Sequence, residues 1–95
     1  MKLFVDDVRN PPDVTWTVVR SVNSAIRYIR AGVVITDMSL DHDAGDYAHD
    51  GGDFIKILDY LAEYGGWPVN RPTIHSMNPV GRENMHMVID RYGPY

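Results

Sequence analysis

Three times along this chain a short strand candidate gives way abruptly to ionisable or polar residues. Leu3-Phe4-Val5 ends at Asp6-Asp7, and Thr73-Ile74-His75 ends at Ser76 and Asn78. Between them, Val33-Val34-Ile35-Thr36, extended through Met38 and Leu40, ends at Asp41-His42-Asp43. Leu3-Phe4-Val5, a short continuous apolar run, suits a strand covered on both faces. Trp16-Thr17-Val18-Val19, aromatic and β-branched, is a fourth strand candidate. Helical stripes separate them. Ser21 is placed to cap a helix whose apolar face carries Val22, Ala25, Ile26 and Ile29 and which ends at Gly32. Phe54, Ile57, Leu58 and Leu61 repeat that spacing before Gly65-Gly66. Asn78-Pro79 opens a last helix with Met85, Val88, Ile89 and Tyr92 on its apolar side, followed by a short tail, Gly93-Pro94-Tyr95. Strands alternating with helices predict an α/β fold: a small, open, mostly parallel sheet of about four strands flanked by helices. The proline-bearing link from the first strand to the second is too short for a full crossover helix.

The bulk properties narrow the function. At 95 residues the expectation is one domain spanning 1–95, with a core so small that every apolar stripe is needed and homodimerisation would add to it. A formal charge of −4 argues against a non-specific DNA binder, which needs clustered cations, but admits a small anionic ligand. The chain has no cysteine, which excludes disulfides, thiolate nucleophiles and cysteine-ligated zinc. The start meets acid too early for a signal peptide, and no apolar run approaches membrane-spanning length. A cytoplasmic protein of bacterial or viral origin, without a membrane partner, is expected.

In an open parallel sheet, ligands sit beyond the carboxyl ends of the strands, where strand order reverses. Asp6, Asp7, Asp41, His42, Asp43, His75, Ser76 and Asn78 all fall at that edge. Carboxylates gathered so closely stay ionised beside a cation, or one of them takes up a proton. Mg²⁺ or Mn²⁺ suits oxygen ligands such as Asp6, Asp7, Asp41 and Asp43. A phosphodiester is opened by a base and an acid, and His42 and His75 have the right chemistry for both. The helix start at Asn78 offers free amides to a phosphate, Gly81 would let a ligand approach, and Arg82 or Arg9 could clamp its oxygens. Each residue also has a structural reading, as a turn former, a cap or an ion-pair partner. Asp41 to Gly52 does not fit a calcium loop, because Asp46 and Gly52 stand where glycine and glutamate belong. No Walker, dinucleotide-binding or serine-hydrolase motif occurs.

Three blocks, Phe4 to Pro12, Ser39 to Gly45 and His75 to Arg82, resemble the cyclic-phosphate-processing receiver-like domain family and follow its order. The resemblance implies a trimmed response-regulator receiver with a flavodoxin-like sheet. It implies that Asp6 and Asp7 match an acidic metal pair, Asp41 a phospho-accepting aspartate and Ser76 a hydroxyl that senses the phosphoryl group. His42 and His75 match histidines that set the family apart from signalling receivers. A receiver's lysine on a fifth strand has no counterpart, since the chain holds only Lys2 and Lys56, and Ala44 stands where a larger apolar residue is expected. The implied function is a phosphoesterase opening a cyclic phosphate, on a cyclic nucleotide, a cyclic oligonucleotide or a 2′,3′-cyclic RNA end. Two alternatives stand beside it: a non-catalytic binding module for such a ligand, and a signalling domain phosphorylated on Asp41.

Overall fold

A computed structural model describes all 95 residues. The elements are β1 (Lys2–Val5), β2 (Trp16–Val19), α1 (Val22–Arg30), β3 (Asp37–Leu40), a 3-10 turn (Gly45–Tyr47), α2 (Ile55–Tyr64), β4 (Thr73–Ile74) and α3 (Pro79–Tyr92). The four strands form one sheet in the order β2-β1-β3-β4, and every pairing is parallel. This is an open α/β architecture of four parallel strands and three helices, the arrangement expected of a trimmed receiver-like sheet. Strand order reverses between β1 and β3, so the cleft for a ligand lies beyond Val5 and Leu40. No helix is long and apolar enough to cross a membrane.

Alternation along the strands separates two faces. Leu3, Val5, Val19, Met38 and Leu40 join buried residues of all three helices in one core cluster, so the helices share one face of the sheet. Phe4, one residue out of phase, stacks instead on His75 at 4.7 Å and meets Trp16 edge-on at 6.1 Å. The link from β1 to β2 carries no helix, as its length and prolines require.

Two expectations change. The third strand begins at Asp37 rather than Val33. The ladder between β1 and β3 starts at Lys2 and Asp37, and the residues before Asp37 bond elsewhere: the Ile35 and Thr36 carbonyls accept the Val69 and Asn70 amides, each at 2.9 Å. Met1 bonds to the same stretch: its nitrogen donates to the Val34 carbonyl at 3.0 Å, and the Thr36 amide donates to the Met1 carbonyl at 2.9 Å. Tyr92 is 52% exposed rather than on the apolar side. A helix of 14 residues is roughly 21 Å long and outruns strands of two to four residues, so its last turn overhangs the core. The tail is a packing appendage: Tyr95 meets Trp67 edge-on at 6.0 Å, and its hydroxyl donates to the Pro68 carbonyl.

Candidate functional site

Asp6 is the buried centre of the carboxyl edge. It follows β1, and its amide still donates to the Val19 carbonyl at 3.2 Å. Its side chain is 0% exposed, which would be prohibitive for an unpartnered charge. One carboxylate oxygen accepts the amides of Val8 (2.9 Å) and Arg9 (2.8 Å), and the other meets His75 Nε2 at 2.9 Å. Burial pushes its pKa up, but those two amides and the histidine outweigh burial and hold it below the usual carboxylate value. An ionised Asp6 can only accept, so Nε2 carries the hydrogen. The other ring nitrogen, Nδ1, lies 2.7 Å from the Ser39 hydroxyl. Both nitrogens of His75 are therefore engaged inside the protein, and Phe4 fixes the ring plane.

Asp7 and Asp41 complete a group with Asp6 in which three carboxylate oxygens lie within 4.8 Å of one another. The amide of Asp41 donates to the Val5 carbonyl at 2.9 Å, so β1 and β3 present the acids side by side. Burial raises the Asp7 pKa first, and the charges of Asp6 and Asp41 add to it. Asp7 also presses on Gly45, where φ is +54° and a Cβ would collide with its carboxylate. The glycine is required there twice over, by conformation and by space. A hard divalent cation fits this arrangement: oxygen donors converge, and their mutual repulsion is the energy a cation would relieve. Asp43 stands outside the trio, grouped with His42 and Asp53.

His42 differs from His75 in what it leaves free. Its Nδ1 is 2.7 Å from Asp43 Oδ1, and with the carboxylate as acceptor Nδ1 carries the hydrogen. Nε2 then keeps its lone pair; it makes no hydrogen bond within the protein and is not sealed from solvent. The ring lies against Gly81, where an added Cβ would come within 2.6 Å of Cδ2 and 2.8 Å of Nδ1. Gly81 thus makes room for an imidazole. The helix start is already partly satisfied: Gly81 donates to Asn78 Oδ1 at 3.0 Å, and Asn78 donates to the buried Ser76 hydroxyl at 3.1 Å.

The two arginines part company. Arg9 Nη1 donates to the His75 carbonyl at 3.2 Å and ties the loop after β1 to the end of β4. Arg82 lines a depression on α3 with Pro79, Glu83 and His86 and forms no ion pair with the acidic trio. Residues not singled out from the sequence also take part. Ser39 shares its strand face with Asp41 by simple alternation, a signal that was there to read. Asp53, which accepts the Ala44 amide at 3.0 Å and so shapes the loop after Asp43, has no local signal, because only the tertiary fold brings it back.

Comparison with known proteins agrees with this geometry. No curated protein and no solved structure matches the chain. The family model of the cyclic-phosphate processing receiver domain matches residues 1–91. With its four-stranded receiver-like sheet and the acids of β1 and β3 side by side, the chain belongs to the cyclic-phosphate processing receiver domain family.

Proposed function

We propose that the chain hydrolyses a cyclic phosphate, with His42 as the base. The observation that carries this reading is the His42–Asp43 pair: a carboxylate orients Nδ1 while Nε2 has no partner within the protein and is not sealed from solvent, at the carboxyl edge of the sheet. Nε2 takes a proton from water as the water oxygen bonds to phosphorus. The ester P–O bond breaks, and the leaving oxygen takes a proton from solvent. Asp43 stabilises the imidazolium that forms. His75 has no free nitrogen and holds Asp6 in place instead of transferring a proton itself.

Asp6, Asp7 and Asp41 would hold Mg²⁺ or Mn²⁺, which supplies positive charge to the phosphate oxygens. Arg9 and the helix start at Asn78 contribute further donors to the phosphate. The ligand class is a small phosphate ester or an RNA end. Phosphoryl signalling through Asp41 has less support, because the chain's two lysines lie elsewhere: Lys2 donates to Thr15 and Lys56 is exposed on α2.

The test is incubation with cyclic mononucleotides, cyclic oligonucleotides and 2′,3′-cyclic-phosphate ends, with and without Mg²⁺ or Mn²⁺, read by mass spectrometry. A product heavier by one water is expected. In a folded His42→Ala variant the rate should fall by about 100- to 10,000-fold. Ligands bound but recovered unchanged would make the chain a binding module, and full activity in His42→Ala would remove the base assignment.

A further inference from the structure

The outer edge of β2 is a terminal strand edge with no neighbour. Beside it, between β2 and α1, runs a groove of about 600 Å³ whose walls include Val18, Val19, Arg20, Arg27, Tyr28 and Val33. Val18 and Val33 are 37% and 38% exposed, so apolar surface faces water where the backbone is also unpaired. Protected edges carry charge, proline or a covering element, whereas Trp16–Val19 has none of these in the strand.

Charge sorts itself around this edge. From Val14 to Thr36 there is no aspartate or glutamate, although the chain has 13 of them. The same stretch holds three arginines, Arg20, Arg27 and Arg30, and none forms an ion pair. Arg20 spends its donors on the carbonyls of Asp6 and Arg9 and on Asn10, which fixes a positive charge at one end of the groove. Arg27 and Arg30 are exposed on α1. A second copy pairing edge to edge would bring these cations together, so self-association through β2 is opposed by its own charge.

We propose that the β2 edge and its groove bind an acidic, extended peptide segment of a partner protein, added as a fifth strand. Backbone pairing along Trp16–Val19 supplies the hydrogen bonds, alternate apolar side chains enter the groove, and carboxylates face Arg27, with Arg20 at the groove's end.

The probe is a fluorescein-labelled ten-residue peptide alternating glutamate and valine, followed by anisotropy and by amide shifts of the labelled protein. Saturable binding is expected, with shifts confined to β2 and α1. The same peptide N-methylated at alternate residues keeps its charge but cannot pair, and should lose the binding. Arg27→Glu, at an exposed position, should weaken binding roughly tenfold. Three results would each overturn the proposal: no saturable binding at millimolar peptide, equal binding of the methylated peptide, or tighter binding of a ten-nucleotide oligothymidylate at the same groove. The shift map on the parent protein decides the question even if the variant folds poorly.

Discussion

At the scale of single residues, the acidic edge contains two aspartates with opposite energetics. Asp6, held below the ordinary carboxylate value of 3.8, contributes stability that is complete above that value and is lost as pH falls through its folded pKa. Asp7, raised above 3.8, does the reverse: its charge opposes folding at neutral pH, and protonation relieves that. In metal-free buffer at pH 7, Asp6→Asn should therefore lose about 2–3 kcal/mol, the worth of hydrogen bonds to a buried charge. Asp7→Asn should gain stability there, and its advantage over the parent should shrink as pH falls through the raised Asp7 pKa. Urea denaturation across pH 3 to 7 measures both, and a pH-independent difference for Asp7→Asn would contradict the assignment. Gly81→Ala sets two effects against each other. Alanine favours a helix by about 1 kcal/mol, but its methyl would meet the His42 ring, and overpacking costs about 1–3 kcal/mol. The ring is tethered to Asp43 and cannot simply swing away, so a net loss of about 1 kcal/mol is expected in the same assay.

Among the elements, helix boundaries were legible in the sequence because capping is local chemistry. Ser21 accepts the Ser24 amide at 3.2 Å and donates to Asp50 at 2.6 Å, so Ser21→Ala should cost about 1–2 kcal/mol by thermal or urea unfolding. Asn78 starts α3 by accepting the Gly81 amide, and Gly65 ends α2 in a backbone conformation that glycine adopts freely. The carboxyl edge was legible for a related reason: acids ending an apolar run mark where a buried strand meets water. What local pattern could not carry was register. Val33 and Val34 have the composition of a strand, yet the ladder between β1 and β3 starts only at Lys2 and Asp37, and the residues just before Asp37 bond to distant segments, Met1 and Val69 to Asn70, that local pattern does not reveal. Nor could sequence spacing tell His42 from His75. Both follow strands, and only the fold shows that Ser39 and Asp6 occupy both nitrogens of one while the other keeps Nε2 free.

For the molecule as a whole, a sheet with helices on one face leaves little core to spare, so a bound ion should register in global stability. A ligand that binds only the folded state at 100 times its Kd adds about 2.7 kcal/mol. A domain of this length shifts its Tm by about 4–8 °C per kcal/mol, so saturating Mg²⁺ should raise Tm by roughly 10–20 °C if the carboxylate trio holds it. Asp7→Asn sharpens the prediction, because the same substitution removes the repulsion and one ligand. In chelator it should melt above the parent, and in saturating Mg²⁺ below it, so the two Tm curves cross as Mg²⁺ is added. Repulsion among Asp6, Asp7 and Asp41 without cation binding predicts no crossing, and a purely non-specific ionic effect predicts parallel curves. Parallel curves in a Mg²⁺ titration followed by differential scanning fluorimetry would therefore remove the trio as the cation site. Crossing curves would make the strained acidic edge an energy store that the ion releases on binding.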